Sequence, residues 1–124
     1  MNTSLSYEIN YIKPHFIKVV ANGVADANKI ANMYQDIINQ SHNYGCKHIL
    51  FNSTNFESKY PLVELLPLVR RVKPSFSGFK MARVCNVHEH RQGFIETVVQ
   101  KENLNIKNFH AENDAVNWLL ESNI

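Results

Sequence analysis

Residues 16–51 read FIKVVANGVADANKIANMYQDIINQSHNYGCKHILF, and the hydrophobic period changes twice within them. Phe16–Ala21 is β-branched and aromatic, the composition of a strand. Asn22-Gly23 turns the chain. From Asp26 the spacing becomes helical: Ala27, Ile30, Ala31, Tyr34, Ile37 and Ile38 share one face. Asp26 suits an N-cap, and Gly45 suits a left-handed stop. The pattern predicts a helix over about Asp26–Tyr44. Lys47–Phe51 is a short apolar run between turn signals, read as a buried strand. Strand, helix and strand in succession imply a parallel pair joined by a right-handed crossover.

On the N-terminal side, Tyr7-Glu8-Ile9-Asn10-Tyr11-Ile12 alternates with the period of a half-buried strand. Only Lys13-Pro14-His15 separates it from Phe16, so the two strands form an antiparallel hairpin. On the C-terminal side, Asn52-Ser53-Thr54-Asn55 is expected to end the third strand. Pro61 can open a helix that presents Leu62, Leu65, Leu66, Val69 and Val72. Pro67 implies a kink or a main segment starting at Leu66, and Pro74 ends the helix. Lys80–Val87 reads as a strand and Arg91–Glu102 as a helix, with Asn103 a left-handed stop. Leu104–Phe109 reads as a strand. Ala111–Ser122 closes as a helix burying Ala115, Trp118 and Leu119. The order is ββαβαβαβα: an α/β domain with a single mixed sheet, an N-terminal antiparallel hairpin followed by parallel strands. The 124 residues fit one domain over 1–124, with 1–6 a flexible N-terminus.

Composition narrows the function classes. Apolar residues make up 44% and charged residues 19%, values of a folded globular protein. The longest apolar stretches, such as Val63–Val69, are interrupted by Glu64 and Pro67 and are too short for a membrane span. A net charge of +2 does not call for a nucleic-acid partner. All four Arg lie between Arg70 and Arg91, and no acid occurs between Glu64 and Glu89. Cations at a helix C-terminus account for Arg70, Arg71 and Lys73. The N-terminus lacks a basic start followed by an apolar run. The expected location is therefore cytoplasmic, with Cys46 and Cys85 reduced. Cys46 precedes one strand and Cys85 lies near the end of another; with the two strands parallel, no disulfide is expected.

Four segments carry a family resemblance. They are Phe16–Val24; Gly45-Cys46-Lys47-His48-Ile49-Leu50-Phe51-Asn52; Lys80–Val84; and Asn105–Phe109 followed by Asp114-Ala115-Val116-Asn117-Trp118-Leu119. With this element order, the chain resembles the STAS class of small domains, which includes the anti-anti-sigma factors of bacterial partner switching. It is most similar to the uncharacterised STAS-like branch that shares a fold with the CRAL-TRIO lipid carriers. The resemblance implies a non-catalytic regulatory or protein-interaction domain acting through a protein partner or homodimer. Through CRAL-TRIO it also implies a small-ligand or lipid-binding module with a pocket. One departure stands out. The anti-anti-sigma factors carry an Asp-Ser switch after the third strand, whereas this chain reads Asn52-Ser53-Thr54, leaving Ser53, Thr54 and Ser58 as candidate hydroxyls.

Catalytic signatures are missing. The four glycines at 23, 45, 78 and 93 build no phosphate loop and no nucleophile elbow. His88-Glu89-His90, with Cys85 nearby, lacks a third ligand of defined geometry, so no metal and no cofactor are expected. An enzyme would have to use the polar rim at the C-terminal ends of the parallel strands, where ligands of open α/β sheets bind. There the sequence places Asn52, Ser53, Thr54, Asn86, His88 and His110 as candidate ligand-binding residues. The expected partner surface joins the Asn52–Tyr60 loop, with Phe56, Ser58 and Tyr60, to the helix beginning near Pro61, aromatics being favoured interface anchors; the alternative is that Phe56 and Tyr60 fold back over the end of the core.

Overall fold

The structure, a computed structural model, describes residues 4–86 and 90–121. Five strands, β1 (Ser6–Ile12), β2 (Phe16–Ala25), β3 (His48–Ser58), β4 (Lys80–Val84) and β5 (Ile106–Phe109), form one sheet. Their spatial order is β1-β2-β3-β4-β5. β1 and β2 pair antiparallel as a hairpin, and the remaining pairs are parallel. Four helices complete the chain: α1 (Ala27–Tyr44), α2 (Leu65–Val72), α3 (His90–Lys101) and α4 (Glu112–Leu119). Single 3-10 turns, Leu62–Glu64 and Lys73–Phe76, flank α2.

Each crossover moves to the next strand in the same direction. Right-handed connections therefore stack α1, α2 and α3 on one face of the sheet, and α4 covers β3 and β4 from the other. Alternation along the strands feeds two cores. Ile17, Val19, Ile49, Phe51 and Met81 pack under α1–α3. Phe16, Leu50, Ala82 and Val84 pack against Ala115 and Leu119 of α4. α1 has the expected caps: Asp26 accepts a hydrogen bond from the Lys29 amide at 2.9 Å, and Gly45 adopts φ 65°. Asn103 takes the left-handed conformation with φ 63°, as its role as a stop requires.

Several expectations are corrected. β3 runs on to Ser58 rather than ending at Asn52–Asn55, because β2 extends equally far and pairs Asn22 with Asn55 and Ala25 with Ser58. The register shifts between Val20 and Asn22, so β3 carries a bulge there. β4 ends at Val84, and Val87 lies outside the described residues. α2 begins at Leu65, which places Pro67 in its first turn, where an amide has no helical partner to lose. Its buried face is Leu65, Leu68 and Val69, whereas Leu62 and Leu66 face outward. Ser4 bridges Val24 and Ser6 starts β1, so the N-terminal stretch expected to be loose is paired from Ser4 onward. Trp118 packs on Phe109, with ring centroids 5.6 Å apart, but it is only partly buried.

Candidate functional site

The residues expected at the rim do not converge. Asn52 and Thr54 lie within β3, where the Asn52 Oδ1 accepts hydrogen bonds from the Thr54 amide at 3.0 Å and hydroxyl at 2.7 Å. The side chain thereby satisfies a polar group displaced by the bulge. Ser53 turns inward, and its hydroxyl donates to the Val84 carbonyl at 3.0 Å. Asn86 and His110 are exposed beyond β4 and β5. His88 lies outside the described residues, as does Glu89. Among the described residues, no group of three His, Cys, Asp or Glu side chains is placed to hold a metal ion.

Phe56 and Tyr60 are corrected as exposed anchors: both are buried, as is Ser58. The bulge is the cause. A bulge inserts one residue and reverses the side-chain alternation beyond it. Ile49, Phe51 and Ser53 face the helices before it, and Phe56 and Ser58 do so after it. Phe56, Ser58 and Tyr60 line a cavity of about 50 Å³ between the sheet and the helices. Tyr34, Leu68, Ile95 and Ile106 also face it. No helix among the described residues is long and apolar enough to cross a membrane.

Among the described residues, the one cation lining this cavity is Arg83. It stands on the helix-facing side of β4 and is 3% exposed. Its Nη1 donates to Asn108 Oδ1 at 3.1 Å, and its Nη2 donates to Gln92 Oε1 at 2.6 Å. Asn108 is fixed in turn: its Nδ2 donates to the Gln92 carbonyl and its amide donates to Glu96. Both direct partners of Arg83 are neutral. Its Nε has no hydrogen-bond partner among the described residues. Burial opposes the Arg83 charge, but Tyr34, Cys85 and Tyr60 outweigh that effect and raise its pKa further. Desolvation likewise raises the Tyr34 and Tyr60 phenols against the lowering influence of Arg83 and Arg91. Arg91 lies over the Tyr60 ring, 4.8 Å from its centroid. Around neutral pH these groups are thus a fixed cation and neutral phenols. None is a general acid or base poised to exchange a proton.

The other cations have structural roles. Glu102 accepts from Arg70 Nε at 3.1 Å and lies 3.7 Å from Lys73. Arg71 donates to Asn28. Lys80 points to the opposite face and sits 4.5 Å above the Trp118 ring. The sequence pattern places Arg83 inside a strand and Tyr34 on an apolar helix face, and it marks neither Gln92 nor Asn108. A signal was available. An interior parallel strand covered on both faces should be nearly all apolar, so an Arg sharing a face with Met81 marks a buried polar centre.

No protein-family model and no curated protein sequence matches the chain. Solved structures do. One is the anti-sigma factor antagonist SpoIIAA in its unphosphorylated form, with TM-score 0.57 and 10% identity, covering 91% of this chain and 95% of that one. Another is an uncharacterised DUF3478-family protein from Shewanella loihica PV-4 with a SpoIIAA-like fold, with TM-score 0.59 and 16% identity, covering 96% and 98%. Identities this low speak to architecture alone. Taken with the mixed five-stranded sheet and its helices, they give the chain a STAS-like fold.

Proposed function

We propose that the protein is a non-catalytic, cytoplasmic regulatory domain that acts by binding a protein partner. The observation that carries this reading is the apolar ridge just after β3. Val63 is 82% exposed, Leu62 49% and Leu66 38%. Buried Tyr60 and Leu65 bracket Leu62 and Val63, so the ridge is held on a rigid base. Exposed apolar side chains clustered in sequence and pre-ordered by the fold suit an interface core. With Phe56, Ser58 and Tyr60 buried, the partner surface narrows to its second part, the helical segment after Pro61. The SpoIIAA-like architecture supports a regulatory reading. The cavity is small for a long acyl chain, which argues against a lipid carrier.

The test compares wild type with Leu62→Ser/Val63→Ser, both verified as folded. A partner identified by mass spectrometry is purified, and its affinity is measured directly. Binding at least about tenfold weaker in the variant supports the ridge. Equal affinity overturns it. If the partner is a second copy, sedimentation should show a wild-type dimer and a variant monomer.

A further inference from the structure

We propose that the cavity beneath α1–α3 binds a small monocarboxylate, with its carboxylate against Arg83 and a short apolar tail among the surrounding side chains. This goes beyond the partner reading and does not depend on it. Arg83 is buried at 3% exposure, and among the described residues no carboxylate lines the cavity with it. Its two direct partners are neutral amides, and an anionic ligand would supply a counter-charge. The geometry also selects the kind of anion. Nη1 and Nη2 are engaged by Asn108 and Gln92, and Nε is the nitrogen left without a partner. The Nε–H is a donor that one carboxylate oxygen can accept, with the adjoining Nη group beside it for the second oxygen. A dianionic phosphate would require further cations, and among the described residues Arg83 is the only one lining the cavity. Most of the remaining wall is apolar, with Phe56, Leu68, Ile95 and Ile106 positioned to take a hydrocarbon tail. A volume of about 50 Å³ corresponds to a few water-sized sites, so the tail is short.

The experiment measures thermal stability and calorimetric binding of the full chain with acetate and propionate. Propanol serves as the uncharged analogue, chloride at matched ionic strength as the simple anion, and palmitate as the long-chain acid. The same titrations are run on Arg83→Met and Arg83→Lys. Saturable stabilisation of wild type by acetate or propionate, absent with propanol and chloride, is the expected result. Folded Arg83→Met should lose the response. Arg83→Lys keeps the charge but not the planar guanidinium, and it should bind at least about tenfold more weakly. Equal effects of chloride or propanol would overturn the proposal, as would an unchanged response in either folded variant. Tighter binding of palmitate would overturn the size assignment. If neither variant folds, the wild-type ligand series alone decides.

Discussion

Phe51 and Phe56 meet edge to face, with ring centroids 6.4 Å apart and planes at 85°. In a regular strand, residues separated by an odd number of positions point to opposite faces. The bulge between them, with Thr54 bonded back to Asn52, brings both rings to the helix side.

Asn52→Ala should therefore weaken the bulge without emptying the core. The expected loss is about 1 kcal/mol, the worth of an ordinary intramolecular hydrogen bond. Phe56→Ala removes a buried ring and should cost about 3–5 kcal/mol. Urea unfolding with an unchanged slope would report both as shifts in midpoint. An Asn52→Ala midpoint equal to wild type would mean that strand pairing alone holds the bulge.

That bulge also explains what the sequence could and could not convey. The period change at Asp26, its cap and Gly45 are local signals, and α1 follows them closely. The hairpin at residues 13–15 and the ending on Phe109 and Trp118 are local as well. The course of β3 past Asn52 is not, because it depends on β2 extending alongside to Ala25. Asn, Ser and Thr in series look like a turn when no partner strand is in view. The same limit hid the cavity. Arg83, Gln92 and Asn108 come from β4, α3 and β5 and meet only through tertiary packing. The exposed side of α2 was misjudged for a related reason. The 3-10 turn at Leu62–Glu64 rotates the early residues relative to a continuous helix, so Leu62 leaves the face that Leu65 and Val69 share.

Tyr7 gives a prediction in pH. Desolvation and its hydrogen bond to Asp36, at 2.8 Å, push the phenol from 10.0 up to about 12. The unfolded chain loses this proton at lower pH than the folded one. The folded state then holds more protons, and stability falls as pH rises. The contribution is complete below pH 10 and is lost as pH rises through about 12. Tyr7→Phe should flatten that part of the alkaline stability profile, at the expense of about 1 kcal/mol at neutral pH. Identical profiles for the two proteins between these values would contradict the assignment.

Gly45→Ala isolates a backbone effect. At φ 65° the residue is left-handed, and nothing lies within 4 Å of an added Cβ. No packing clash complicates the substitution, so its cost is conformational, about 1 kcal/mol. Gly45→Asn should cost less, because Asn tolerates this region better. Thermal unfolding of the three proteins should rank Gly above Asn above Ala, and Ala equal to Gly would exclude a left-handed stop.

The two ends of the Trp118–Leu119 dipeptide should differ in stability, in an order that side-chain size alone would reverse. Leu119 is fully buried against the second core, and Leu119→Ala should cost about 3–4 kcal/mol. Trp118 is larger but only partly buried. It rests on Phe109 and under the Lys80 ammonium. Its loss should cost about 2 kcal/mol, below the usual figure for a buried aromatic. Lys80 also donates to the Trp118 carbonyl at 2.6 Å, a bond that Trp118→Ala retains, so the ammonium keeps one partner when the ring is removed. A double-mutant cycle with Lys80→Met then isolates the ring–ammonium attraction, expected at about 1 kcal/mol. Chemical denaturation of the four proteins and of Leu119→Ala checks both claims. A larger loss for Trp118→Ala than for Leu119→Ala would make the indole the anchor of this face. A coupling near zero would leave the carbonyl bond alone to hold Lys80 beneath α4.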